Sequence, residues 1–248
     1  MPGVVVTQSG GPGTEVDVTI RGSLSSQVLT LLDGVEVNAG GLGAYDFSNL
    51  LTDNTNRIEV IRGAGGALYG SSAIGGVINQ ITEEGTGDPK FSLLSDGGNW
   101  ETQRQVATAN GAIGKLGYSG SVSYFSTQGF QSVNGQYDNL SLTSRLDYHL
   151  TDSTTLRFFG RYTGADVGLP EFSNGDTTAL DATAHQRTEF MLYKGEIEQH
   201  FGEHLVVRVN GSFVRDEIRI NKTPSPATPY VEFDDIPDEI RATNAEGI

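Results

Sequence analysis

The chain has 248 residues, enough for one large domain or two ordinary ones. Asp and Glu number 31 against 16 Lys and Arg, a formal net charge of -15 that repels a phosphate backbone and argues against nucleic acid as a partner. Cysteine is absent, which excludes a disulfide framework, thiolate zinc sites and cysteine nucleophiles while leaving the compartment open.

No run of about 18 apolar residues occurs, so no membrane-spanning helix is expected; a spanning β-barrel stays possible, because its strands need only about 10 alternating residues. The start, Met1-Pro2-Gly3-Val4-Val5-Val6, lacks the basic and apolar regions of an export signal. Up to about residue 84 the basic side chains are Arg21, Arg57 and Arg62, and short β-branched runs alternate with turn signals. Strands are predicted at Val16 to Ile20, at Val28 to Leu32 before the turn pair Asp33-Gly34, at Arg57 to Ile61, and at Val77 to Thr82. These make a small mixed domain.

From Phe91 onward the pattern is strict period-two alternation. Leu140, Leu142, Leu146, Tyr148 and Leu150 fall on one side of a strand, and Ser141, Thr143, Arg145, Asp147 and His149 on the other. Tyr118, Val122 and Tyr124 alternate with serines, Leu156, Phe158 and Tyr162 with arginines, and Leu205 to Phe213 repeats the scheme. Predicted connections alternate in length: Asn110 to Lys115, Leu150 to Ser153 and His200 to His204 are tight, whereas Ser126 to Asp138, Thr163 to Gln186 and Asn221 to Asp238 are long. That asymmetry fits a barrel with short turns at one rim and long loops at the other, and Tyr118, Tyr148 and Tyr162 suit interfacial girdles. A soluble antiparallel sandwich would also alternate, and on this half alone the two architectures stand about even. They differ in one respect: a sandwich must bury the Leu140 to Leu150 apolar face against a second sheet, and a barrel leaves it bare.

One segment separates them. Arg57-Ile58-Glu59-Val60-Ile61-Arg62-Gly63 runs into Ala64-Gly65-Gly66-Ala67-Leu68 and then Tyr69-Gly70-Ser71-Ser72-Ala73-Ile74-Gly75-Gly76-Val77-Ile78-Asn79. It closely resembles the plug signature of TonB-dependent outer-membrane receptors, departing at Gly65, where proline is usual, and at Gln80. Upstream, Val18-Thr19-Ile20-Arg21-Gly22 and Leu29-Thr30-Leu31-Leu32-Asp33-Gly34-Val35 look like two further plug elements in the family's order. A P-loop reading fails because Gly70-Ser71-Ser72 supplies no lysine, and a dinucleotide fingerprint fails at Leu68.

The resemblance implies a mainly β fold: a small α+β plug over 1–84, truncated at its start, followed over 85–248 by about eight antiparallel strands of an incomplete transmembrane barrel of normally about 22. It implies uptake of a scarce ligand, a ferric siderophore or cobalamin, across a Gram-negative outer membrane, driven by the TonB–ExbB–ExbD complex through an N-terminal box that this stretch lacks. Arg21, Arg57, Arg62 and Glu59 would lock plug to wall, although ordinary surface charge is nearly as good a reading for Arg57. Ligand-facing positions would be Tyr45 and Leu68 on plug loops and Phe130, Tyr137, Phe172 and Tyr230 on outer loops. Asp166, Glu171, Asp176 and Asp181 crowd one outer loop with oxygen ligands suited to Ca²⁺, against the blander reading of solvated acids. His200 and His204 have ligand-like spacing but flank a turn. No serine–histidine–acid set or perturbed carboxylate pair points to an enzyme. The rival readings are a soluble β-sandwich for binding or adhesion, and a passive porin, which would lack a plug. An open set of strands cannot satisfy its backbone in lipid, so these residues alone are expected neither to insert stably nor to transport.

Overall fold

The computed structural model describes residues 2–38, 43–63, 69–70, 73–170, 184–202, 204–221, 239–241 and 245–247. The first part holds β1 (Val4–Gln8) and β2 (Val16–Ile20) as an antiparallel hairpin. Beside it stands a four-stranded sheet of β3 (Val28–Leu32), β4 (Val35–Glu36), β5 (Thr55–Arg62) and β6 (Gly76–Thr82), in the order β4-β3-β6-β5. β3 and β6 run parallel at its centre, and every residue of β3 is buried, as expected for a parallel strand covered on both faces. Val18, Ile20, Val28 and Ile78 close one side of this globule; Leu29, Leu31, Ala73 and Val77 close the other. The turn from β3 to β4 has positive φ at both Asp33 (50°) and Gly34 (78°), the backbone that a two-residue hairpin of matching twist demands. β1 and β4 are additions to the predicted strands.

The linker 83–89 leads into the second sheet: β7 (Lys90–Gly97), β8 (Gln103–Ile113), β9 (Leu116–Thr127), β10 (Tyr137–Thr151), β11 (Thr154–Gly168), β12 (His185–Phe201) and β13 (Leu205–Asn221). Each pairs antiparallel with the next, and β14 (Glu239–Arg241) and β15 (Ala245–Gly247) both pair with β13. Linker and short turns share one rim, and the strand ends that flank 128–136, 169–184 and 222–238 lie at the other. The β7–β8 connection, 98–102, is short although it lies on the long-loop rim, so the length rule has an exception there.

The faces of this sheet decide between the architectures. Leu140, Leu142, Leu146, Tyr148 and Leu150 stay 38–48% exposed, while Ser123, Asn139, Asp147 and Glu198 on the opposite face are buried. Polar residues lie inside and apolar residues outside, which is the reverse of a sandwich. From Leu140 to Leu150, at about 3.3 Å per residue and a tilt of about 40°, the bare apolar band is about 25 Å tall, the height of the hydrocarbon layer a barrel crosses. Tyr118 and Tyr148 border it toward the short turns, and Tyr124 and Tyr162 toward the long loops.

The inner face has one departure from polarity. Phe190 and Leu192 of β12 and Val214 of β13 point inward and join Leu32, Val35 and Val37 of the globule in one buried cluster, with Tyr45 and Leu50 against it. Leu192 is 1% exposed. Leu192→Ala in the full-length protein is expected to cost about 2–5 kcal/mol through lost burial and the cavity left behind. Urea unfolding followed by a probe in the N-terminal globule would measure it, and an unchanged midpoint would show that the seam does not hold the globule.

Candidate functional site: the interface between plug and wall

The globule is fastened to the sheet at three heights. Near the short-turn rim, the linker crosses the inner face with Gly85 and Gly117 so close that a Cβ on Gly117 would strike the carbonyl of Gly85, and one on Gly85 the backbone of Tyr118. Glu83 O accepts from the Ser119 hydroxyl, and Asn54 Nδ2 donates to Ser119 Oγ at 3.4 Å. Arg145 Nη1 donates to Thr82 O at 3.2 Å, and its Nη2 stands 3.5 Å from Glu84 Oε2. Lys194 Nζ reaches across to donate to Asp33 O at 3.0 Å. In the middle lies the apolar seam, with Tyr45 edge-on to Phe190 at 6.3 Å between ring centroids. Toward the long-loop rim, Arg104 pairs with Asp53, and the Tyr137 hydroxyl donates to Asn49 Oδ1 at 2.9 Å.

The lower wall carries a chain of ion pairs built by strand register. Asp147 lies opposite Arg157, Arg157 opposite Glu196, and Glu198 opposite Arg208, so each step across β10, β11, β12 and β13 meets the opposite charge. Asp147 receives Arg145 Nε at 2.8 Å and Arg157 Nε at 3.3 Å. Arg157 Nη1 lies 2.8 Å from Glu196 Oε1 and 3.0 Å from Glu198 Oε2. Glu198 also takes Arg208 Nε at 2.6 Å, and Lys194 pairs with Glu196 at 3.0 Å. Arg145 and Lys194 each stand 5.2 Å from the Phe159 ring centre. Buried charges persist only when paired and hydrogen-bonded, and this wall pairs them strand by strand. Between it and the plug residues Asp33, Glu36, Arg57 and Asn79 opens a polar cleft of about 750 Å³.

The plug signature residues fall on the globule as follows. Asp33 caps the β3–β4 turn: its carboxylate accepts from Thr82 N at 2.7 Å and Thr82 Oγ1 at 2.6 Å, while its carbonyl holds Lys194. Gly34 N donates to Asn79 Oδ1 at 3.3 Å. Gly63 N donates to Gly75 O at 3.1 Å, Gly75 N to Gln27 O at 2.8 Å, and Gly76 opens β6 opposite Arg62. Arg21-Gly22 turns the chain after β2, Arg21 N donating to Gly3 O at 2.6 Å. Tyr69 and Gly70 are exposed.

The contacts described for the three plug arginines stay within the globule. Arg57 pairs with Glu59 on its own strand at 2.8 Å, both half exposed, and Arg62 donates to Pro2 O at 3.1 Å, so these contacts stay within the globule. Arg21 N donates to Gly3 O, and its guanidinium lies beside Gly63. Among the described residues the fastening is done instead by wall cations, Arg104, Arg145 and Lys194, acting on plug carbonyls and carboxylates. Tyr137 is also corrected: it is buried, its ring lies over Gly13, and its hydroxyl serves the plug, so it faces no ligand space. Tyr45 is half buried in the seam, whereas Phe130 is exposed, edge-on to Trp100 at 6.3 Å. Leu68, Phe172, Tyr230, Glu171, Asp176 and Asp181 lie outside the described residues. Asp166 has both oxygens engaged, by His185 Nδ1 at 2.9 Å and Arg187 Nε at 2.7 Å. Among the described residues no group of three or more His, Asp or Glu is placed to hold a metal ion. His200 is a strand residue whose Nε2 lies 3.0 Å from Glu198, rather than part of the turn.

Residues 1–77 match the family model described as TonB-dependent Receptor Plug Domain. The chain belongs to the TonB-dependent receptors. Its relatives include the vitamin B12 transporter BtuB of Vibrio vulnificus, 33% identical over 198 residues, covering 73% of this chain and 32% of that protein. A second is BtuB of Vibrio cholerae, 38% identical over 117 residues, 47% of this chain and 19% of that one. The chain thus spans about a third or less of the length of these relatives. Among solved structures, the siderophore receptor PiuA from Acinetobacter baumannii superposes with a TM-score of 0.71 at 16% identity, over 89% of this chain and 33% of that one. The ferripyoverdine receptor of the outer membrane of Pseudomonas aeruginosa gives 0.71 at 17%, over 91% and 33%. These two show the fold: a plug against the inner face of barrel strands.

In this TonB-dependent receptor, Asp147 is the hinge of the charged wall, 2% exposed between two guanidinium groups. Asp147→Asn in the full-length receptor is expected to cost about 3–5 kcal/mol, because it leaves paired arginines short of a carboxylate in a buried place. Proteolysis within the linker 83–89 would report it as faster cleavage, and cleavage at the unaltered rate would show the wall and plug to be held elsewhere.

Proposed function

We propose that the complete protein is an outer-membrane receptor that takes up a scarce ligand of the cobalamin or ferric siderophore class, energised from the inner membrane by the TonB–ExbB–ExbD complex. The observation that carries this reading is the inverted sheet: a lipid-height apolar band outside, and a polar inner face fastened to a plug through Thr82, Glu84 and Asp33. A passive pore would not fill its lumen with such a globule, and a pulled plug explains how passage could be tied to an energy source elsewhere. No catalytic step is part of the proposal.

Between the ligand classes, cobalamin is the first candidate. The relatives of 33–38% identity are named vitamin B12 transporters, whereas the siderophore receptors resemble this chain at 16–20%. A strain deleted for its own cobalamin receptor and supplied with the full-length gene should accumulate labelled cyanocobalamin, and deletion of TonB should abolish the gain. Uptake of a ferric siderophore instead would move the assignment to the second class, and uptake of neither would remove the reading. Ca²⁺ at the acids of residues 166–181 remains a separate proposal of this function; calorimetric titration of the purified receptor with Ca²⁺ tests it, and no heat would end it.

A further inference from the structure

Between its upper and lower attachments to β9 and β10, the plug covers a polar strip of the wall without bonding to it. Below the strip lie the bonds of Ser119 and Arg145 to the plug, and above it those of Tyr137 and Asn139 to Asn49. Ser121, Ser123, Ser141 and Thr163 are buried between these levels. Among the described residues their hydroxyls bond only within the wall, Ser121 Oγ with Thr143 Oγ1 at 2.5 Å, and Ser141 Oγ with Thr163 Oγ1 at 3.2 Å and Asn139 Oδ1 at 2.9 Å. The Ser123 hydroxyl, 1% exposed, has no hydrogen-bond partner there.

Arg161 belongs to the same strip. It lies opposite Thr143 of β10 and Leu192 of β12, and is 6% exposed. Arg104, Arg145, Arg157 and Arg208, also inward, all have carboxylate partners. Among the described residues the Arg161 guanidinium has neither a hydrogen bond nor an ion pair. Two plug groups, Tyr45 and Asp33, are near enough to act on its charge, but both carboxylate oxygens of Asp33 accept from Thr82 instead. No carboxylate points inward on β9, on β11, or on β10 between Asp147 and the long-loop rim. An unpaired buried cation is unfavourable, so the seated globule holds Arg161 in a poor place and keeps every ligand from it. Displacement of the globule relieves that burial without breaking a bond to the strip. The same motion bares a guanidinium set among hydroxyls, a donor set suited to a phosphodiester.

We propose that Arg161 is a station on the inner wall for the ligand in transit, meeting its anionic group once the plug has moved. For a cobalamin that group is the phosphodiester of the nucleotide arm, and the hydroxyls of Ser123, Thr143 and Thr163 serve the polar groups beside it. The inference rests on the uptake function proposed above and adds to it a residue and the ligand group that it recognises. If Arg161 merely loosened the seat of the plug, its replacement would affect every ligand alike.

The test compares import of cyanocobalamin with that of dicyanocobinamide, which lacks the nucleotide arm and its phosphate, by the full-length receptor in a strain deleted for its own cobalamin receptor. Arg161→Met, similar in length and uncharged, is expected to lower the rate of TonB-dependent cyanocobalamin import at least tenfold. Surface binding of cyanocobalamin, measured in cells lacking TonB, and import of cobinamide should both stay within about twofold of the parent, and Arg161→Lys should restore most of the lost rate. An equal fall for both ligands would overturn the proposal and assign Arg161 to the seat of the plug alone; unchanged cyanocobalamin import would overturn it as well. Should Arg161→Met fail to bind ligand at the surface, Arg161→Gln takes its place with the same expected ratio. A parent that imports a ferric siderophore in place of cyanocobalamin would end the phosphodiester assignment and leave the receptor reading standing, whereas a parent that imports neither removes both.

Discussion

A strand that crosses hydrocarbon can present only apolar side chains to it, and because alternate side chains point opposite ways, the same strand must deliver its polar half to the interior. Everything in this chain follows from that division. Ser123 and Arg161 apart, the inward serines, asparagines, arginines and glutamates cannot be left dry and unpaired, so they are matched to one another by register, as in Asp147 with Arg157 and Glu198 with Arg208, or handed to the plug, as in Arg145 with Thr82 and Lys194 with Asp33. The plug in turn has backbone carbonyls at its turns and strand ends that find their donors on the wall. Each part supplies what the other lacks.

The Asp33 turn shows how local backbone chemistry becomes global attachment. Two consecutive residues of positive φ bring the carboxylate of Asp33 back onto Thr82, tying β3 to the end of β6, and turn its carbonyl outward to Lys194. A single residue therefore joins β3 and β6 of the plug to β12, the sixth strand of the wall. Since the peptide that follows Thr82 is the linker into the barrel, the attachment lies where the two domains share one chain.

Much of this was legible from residue patterns. Period two from Phe91 onward located the wall strands, and Leu140 to Leu150 against Ser141 to His149 foretold which faces would part, although only coordinates could say which face is bare. The glycine-rich plug segment and the Asp33-Gly34 pair were readable because turns need particular residues at particular places. What stayed hidden depended on pairing across long separations. Arg57, Arg62 and Arg21 sit in the motif, whereas the arginine contacts between plug and wall come from Arg104 and Arg145, 51 and 63 residues along the chain from Asp53 and Thr82. The register that makes Asp147 face Arg157 is not visible in either strand alone. One clue could have been used: Phe190-Met191-Leu192-Tyr193 is apolar on both faces, a break in alternation that marks a strand covered on both sides.

That inward apolar patch of Phe190, Leu192 and Val214 bears on biogenesis. In a lumen without its globule it would be greasy surface open to water, able to capture any extended segment passing by. Seating of the N-terminal globule is thereby coupled to closure of the wall around it. A cell that assembles this protein has reason to bring both together in one event rather than to finish an empty cylinder and fill it later.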